Sequence, residues 1–168
     1  MMNANVPTQP PERHDRLLRE QVHDTYKQRG HLKEPTRCPG CGAVYRKGRW
    51  SWTAEADEAA EETVCTACHR SADNYPAGEV TLEGDFALRH KDEILKLVRN
   101  VETAANKEHP MNRIIEISDS ASQILITTTD VHLPRRIGKA IQAAWKGSLD
   151  IHFDEGGYFT RISWRRDA

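Results

Sequence analysis

Cys38-Pro39-Gly40-Cys41-Gly42 and Cys65-Thr66-Ala67-Cys68-His69 are the two runs that decide how this sequence is read. They hold all 4 cysteines of the 168-residue chain, arranged as two CxxC pairs. A two-residue gap lets a reverse turn aim both sulfurs to one side, and Gly40 and Gly42 relieve the backbone of such a knuckle. Two knuckles together supply the thiolates of a tetrahedral Zn2+ site, so Cys38, Cys41, Cys65 and Cys68 are the candidate zinc ligands. The 23 residues between Cys41 and Cys65 exceed the roughly 15–20 of ordinary ribbon spacing and leave room for a β-hairpin or a small insertion. Two disulfides, a redox-active CxxC and unrelated thiols are the competing readings. No export-signal pattern is seen, so the thiols are expected to stay reduced, which favours metal. His69 reads as a neighbour of the second knuckle rather than a substitute ligand.

Around these knuckles the chain divides into three parts. Residues 1–34 form an arm, expected to be disordered and then helical. Residues 35–74 form a zinc ribbon with an acidic insertion, and residues 75–168 a two-layer α/β unit. A hydrophobic share of 38% against 29% charged allows only a modest core. No apolar run approaches the roughly 18 residues of a membrane span, so no membrane partner is expected and the protein reads as cytoplasmic. The net charge is −1, yet the charge is segregated. Residues 1–49 carry ten Lys/Arg against five acids, a net +5, while residues 50–63 carry five acids and no base. Such segregation permits local contacts with a polyanion despite near neutrality.

Working outward, Pro-rich residues 1–11 predict disorder, and Leu18, Val22 and Tyr26 predict a helix over 12–29 with a thin apolar stripe. This stretch is either a loosely docked helix or an arm that folds on its target. After the first knuckle, Arg46, Lys47 and Arg49 lie among Tyr45, Trp50 and Trp52, the densest basic–aromatic cluster in the chain. Such a cluster can stack bases and meet phosphates, or it can supply the small core that a ribbon lacks. Acidic Thr53–Thr63 predicts a short inserted helix, supported by Ala59 and Ala60.

Beyond Tyr75 the predicted order is β-α-β-β-α-β-β. Strands are expected at Gly78–Leu82, Arg113–Ser118, Ser122–Thr128, Ser148–Phe153 and Tyr158–Trp164. Helices are expected at Phe86–Ala105 and Pro134–Lys146. Leu149, Ile151 and Phe153 should face inward, as should Tyr158, Thr160, Ile162 and Trp164. The fold class is thus α+β, a four-cysteine zinc ribbon followed by a β-α-β-β-α-β-β split-βαβ-like two-layer domain, with a flexible, partly helical amino-terminal arm.

No glycine-rich phosphate loop, GxSxG or HExxH motif is present, and four cysteines would close a metal's coordination shell. His90, His109, His132 and His152 adjoin no nucleophile, so no enzyme is expected. Two basic surfaces remain. On the second helix Arg135, Lys139, Gln142 and Lys146 form one stripe, opposite Ile137, Ala140, Ile141 and Ala144. The stripe either solvates the helix or tracks a phosphate backbone. On the last strand Arg161 and Arg165 face away from the core, where Asp150, His152 and Asp154 of the partner strand are positioned to pair with them. The candidate RNA-binding residues are therefore Arg46, Lys47, Arg49, Trp50, Arg135, Lys139 and Lys146.

The paired CxxC motifs, the run GEVTLEGDFALRHKDEILKLVRNVE (78–102) and the run RIIEISDSASQILITTTDVHLPRRIGKAI (113–141) carry a resemblance. The chain resembles small bacterial zinc-ribbon proteins distantly related to the amino-terminal part of the large-ribosomal-subunit export adaptor family, some of them associated with low-oxygen gene clusters. The resemblance spans roughly residues 36–165 and omits the adaptor's later domains. It implies non-catalytic binding to the large ribosomal subunit or its RNA, near the tRNA sites, as a stress or low-oxygen factor. A zinc-ribbon adaptor for a protein partner and a thiol/zinc redox sensor are the alternative functions.

Overall fold

The computed structural model describes Tyr26 and residues 32–168. Apart from Tyr26, the helix expected over 12–29 lies outside the described residues, as does the disorder expected over 1–11. The described residues form two sheets and four helices, a mixed α and β fold.

The first sheet belongs to the cysteine lobe and is built from very short strands. They are β1 (Thr36–Arg37), β2 (Val44–Arg46), β3 (Arg49–Ser51) and β4 (Glu61–Glu62), in the order β3-β2-β1-β4. The first three pair antiparallel, and β4 joins β1 in parallel. The β2–β3 hairpin turns on Lys47 and Gly48, both left-handed with φ of 55° and 77°. Two such residues give the turn a twist that matches the flanking strands. Register places Arg46 opposite Arg49 and Tyr45 opposite Trp50, so the three predicted cations share the hairpin tip.

The acidic stretch does not form the expected helix. Residues 54–60 run irregularly and β4 follows. Arg37 donates to the carbonyls of Ala56 and Asp57, and Asp57 folds back to accept from the Ala59 N–H. A helix would instead have stacked Asp57 and Glu58 against Glu61 and Glu62 one turn later, where like charges repel. The helix of this lobe lies further on, as α1 (Thr66–Asp73), opened by Cys65 as its N-cap.

The second sheet has the order β6-β7-β5-β9-β8: β5 (Gly78–Glu83), β6 (Ile114–Asp119), β7 (Gln123–Thr128), β8 (Ser148–Phe153) and β9 (Thr160–Arg165). Only β5 and β9 run parallel; the other neighbours are antiparallel. Alternation decides the faces. Val80, Leu82, Ile124, Ile126, Ile162 and Trp164 turn to one side and are all but fully buried. Ile94 and Val98 of α3 (Lys91–Glu108) and Ile137 and Ile141 of α4 (Leu133–Trp145) cover them, making one core. The long helix expected over 86–105 is broken at His90 into α2 (Asp85–Arg89) and α3, with His90 stacked on Phe86 at 4.2 Å. Phe153, expected inward, is 52% exposed because it ends an edge strand, and Ala144, expected on the apolar face of α4, is exposed at the last turn.

Candidate metal centre and the cleft beside it

The four cysteines meet. Their sulfurs all lie within 4.8 Å of one another, and all four are free thiols. Cys38 and Cys41 come from the turn after β1, whereas Cys65 and Cys68 come from the start of α1. A Zn–S bond of about 2.3 Å in a tetrahedron sets sulfur–sulfur distances near 3.8 Å. Cys41 and Cys65 already stand 3.8 Å apart, and with all four sulfurs within 4.8 Å the cluster could hold a metal ion of that size. Gly40 makes room for it, since a Cβ there would meet the Cys68 sulfur at 3.0 Å. His69 stands outside the cluster. Its ring meets Tyr26 edge-on at 5.2 Å, and its Nε2 lies 3.7 Å from Asp73.

Backbone and side chain both feed hydrogen bonds into the sulfurs. The Cys65 N–H donates to Cys38 Sγ at 3.3 Å, and the Cys68 N–H donates to Cys65 Sγ at 3.4 Å. Burial opposes ionisation of Cys38, but N–H groups of Cys65, Cys41 and Gly40 outweigh it and bring that thiol down to about 7. Burial pushes the thiols of Cys41 and Cys65 up instead. A single site thus holds one thiol ready to ionise and others that need a cation to do so.

The sulfurs have an unexpected neighbour. Arg113, on the residue before β6, sends Nη2 to Cys65 Sγ at 3.2 Å and to Cys68 Sγ at 3.3 Å, and Nη1 to Cys68 Sγ at 3.3 Å. Burial disfavours its charge, but the facing cysteines outweigh this and its pKa is raised. Sequence reading missed Arg113 because it sits 45 residues beyond Cys68, in a stretch marked only as a strand. Met111 packs against the same cluster and its sulfur accepts from the Thr66 hydroxyl at 3.2 Å. With the Trp52 indole donating to the Asn106 carbonyl at 2.6 Å, these contacts seat the cysteine lobe on the second sheet's lobe.

The predicted nucleic-acid residues separate into groups. Arg46, Lys47 and Arg49 are exposed at the hairpin tip, and none pairs with an acid among the described residues. Trp50 is half-buried, packs against the cysteine cluster and meets Tyr45 edge-on at 5.4 Å. Arg135, Lys139 and Lys146 are exposed along α4 and its exit, also unpaired among the described residues. The sheet arginines are different. Arg161 pairs with Glu79 at 2.8 Å and Asp154 at 3.8 Å, and Arg165 with Glu83 at 3.5 Å and Asp167 at 3.0 Å. The central strand β5 thus supplies one acid to each arginine, Asp154 and Asp167 supply the other, and among the described residues Asp150 and His152 on β8 pair with neither.

Between the two lobes lies a cleft of about 710 Å³. Arg49 and Trp50 line it from the hairpin, Arg136 and His132 from the start of α4, and Asn112 from the loop before β6. Arg135, Lys139 and Lys146 do not line it. Among the described residues no helix is long and apolar enough to cross a membrane. Comparison with protein-family models, curated proteins and solved structures gives no match.

Proposed function

We propose that the protein is a non-catalytic, zinc-holding RNA-binding module of the cytoplasm whose target is the large ribosomal subunit, near its tRNA sites. In this reading the cysteine lobe is a four-cysteine zinc ribbon and the second lobe a split-βαβ layer. The metal would be held by Cys38, Cys41, Cys65 and Cys68, a closed set that fixes structure and leaves no position for substrate. The observation that carries RNA binding is the division of the cations. Those on the open sheet face are paired with glutamates and aspartates, whereas those at the hairpin tip and along α4 are exposed and unpaired among the described residues. Unpaired exposed cations are the form in which a protein exchanges counterions with a phosphate backbone. The ribosome as target, and a role under stress or low oxygen, rest on the resemblance carried by the sequence.

Co-sedimentation with purified ribosomes over a salt series tests this. The variant Arg46→Ala/Lys47→Ala/Arg49→Ala should pellet more weakly, and its slope of log affinity against log salt should be shallower by roughly 0.7–0.9 for each phosphate no longer engaged. Equal pelleting at every salt would refute the hairpin's part in binding, and no pelleting of the parent would refute the ribosome. A thiol/zinc sensor is the second reading, favoured by one observation: Cys41 and Cys68 are half-exposed while Cys38 and Cys65 are buried. Peroxide-driven zinc loss at sub-stoichiometric doses would support it.

A further inference from the structure

Most charged and polar groups near the lobe junction are already occupied. Asp130 accepts from the N–H groups of His132 and Leu133 and so opens α4. Thr129 is tied to Met111 and Arg113. Three residues of the cleft wall stand out against this. Arg49 and Arg136 pair with no acid among the described residues, and both are exposed. Asn112 lines the cleft, and its side-chain amide makes no hydrogen bond to any described residue, which leaves it open to the cleft. Trp50, Tyr45 and Tyr158 add aromatic rings to the wall, and Pro110, Met111 and Val131 add apolar surface.

We propose that this cleft is a single-nucleotide pocket, taking the aromatic ring against Trp50 and Tyr158, the ring's polar edge at Asn112, and its phosphate between Arg49 and Arg136. The parts match the chemistry of that ligand one by one. A π-face prefers an aromatic wall, a base edge needs a donor and an acceptor at once, and an amide side chain offers both. Two guanidinium groups suit a phosphate better than point charges, because each presents parallel N–H donors. The volume of about 710 Å³ falls in the roughly 300–1,000 Å³ range of small-ligand sites. The pocket rests on the RNA-binding reading for its source, a nucleotide of a single strand, while a free nucleotide carries the same chemistry.

The test uses the full-length zinc-loaded protein and two probes, fluorescein-labelled decamers of rA, rC and rU read by anisotropy, and the free mononucleotides as competitors. Arg136→Glu should weaken decamer binding at least tenfold. Lys96→Glu, the same charge change on the exposed face of α3 away from the cleft, should change it less than threefold. Asn112→Ser should alter the ranking of the three decamers while leaving the salt slope of each unchanged. Equal losses in Arg136→Glu and Lys96→Glu would mean that only the general field is felt, and would overturn the pocket. Mononucleotide binding that is lost in Arg136→Glu, with no decamer binding, would support the pocket and reject the strand as its source. If the parent pellets with ribosomes but binds neither probe, the pocket fails and the RNA reading stands. If it binds neither probe nor ribosomes, both fail.

Discussion

Replacing Arg113 with alanine should loosen the metal from a distance of one side chain. The guanidinium reaches two of the four sulfurs at 3.2 Å and 3.3 Å, from the opposite lobe. Four thiolates around Zn2+ leave a net charge of −2, and Arg113 is the one guanidinium the described residues place against it. Hydrogen bonds to charged groups contribute about 1.5–3 kcal/mol each. The bonds here are long and half-buried, so the whole interaction is worth about 2–3 kcal/mol. At about 1.4 kcal/mol per tenfold, that is roughly 30- to 100-fold in zinc affinity, the range seen when partners of metal ligands are removed. Competition with a chromogenic chelator at neutral pH measures it directly. Arg113→Lys keeps the charge but gives one ammonium where a fork spanned two sulfurs, so its affinity should fall between parent and alanine. A zinc affinity for Arg113→Ala within about threefold of the parent, in a protein that stays folded, would refute the view that Arg113 tunes the metal.

Cys41→Ser should unfold the cysteine lobe, since a structural zinc is worth on the order of 10 kcal/mol, while the β5–β9 sheet keeps its core; limited proteolysis should cut residues 36–74 and spare 78–165. Trp164→Phe fills most of the same space but strands the Lys146 carbonyl that the indole bonds at 2.6 Å; a loss of about 1–3 kcal/mol, or roughly 4–8 °C in Tm per kcal/mol, should appear in thermal melts. Asp130 is raised by burial, so its carboxylate costs stability once ionised, and the contribution is most favourable below the unfolded pKa and is lost as pH rises through the folded value. Asp130→Asn should therefore melt at or above the parent at neutral pH, with the advantage shrinking as the pH falls into the carboxyl range; a clearly lower melt at neutral pH would show that the His132 and Leu133 N–H bonds to the carboxylate outweigh its burial.

The second sheet was legible because its residues alternate. Ile162 and Trp164 turn inward and Arg161 and Arg165 outward, as a period of two requires. The cysteine cluster was legible from spacing alone. What escaped follows from a different physics. The α1 helix was hidden because Cys65 serves at once as metal-type ligand and N-cap, and a residue's second role leaves no trace in composition. The break at His90 coincides with tertiary packing of Phe86 under Arg166, at 3.8 Å, a contact that no local pattern records. The acidic stretch misled through propensity: alanines favoured a helix that four carboxylates and Arg37 overruled. Arg113 was invisible because only the fold brings residue 113 to residues 65 and 68.

Those failures share a cause that bears on function. The strands of the cysteine lobe are two or three residues long, and its buried apolar residues are few and, Tyr45 apart, small: Cys38, Ala43, Val44, Cys65 and Ala67. So small a core cannot outweigh the conformational entropy of ordering the lobe. A metal held by the four cysteines, together with the seat that Arg113, Met111 and Asn106 provide, would supply the rest of its order. The cleft wall at Trp50 and Arg49 hangs from that seat, while Arg136 and Asn112 belong to the rigid lobe opposite. Metal loss should therefore abolish cleft binding without unfolding the second lobe. Chelation should release the labelled decamers at a rate set by zinc departure. It should leave unchanged the surroundings of Trp145 and Trp164, followed by near-ultraviolet circular dichroism of a Trp50→Phe/Trp52→Phe protein. Decamers that stay bound after the zinc has gone would place the binding surface on the second lobe alone.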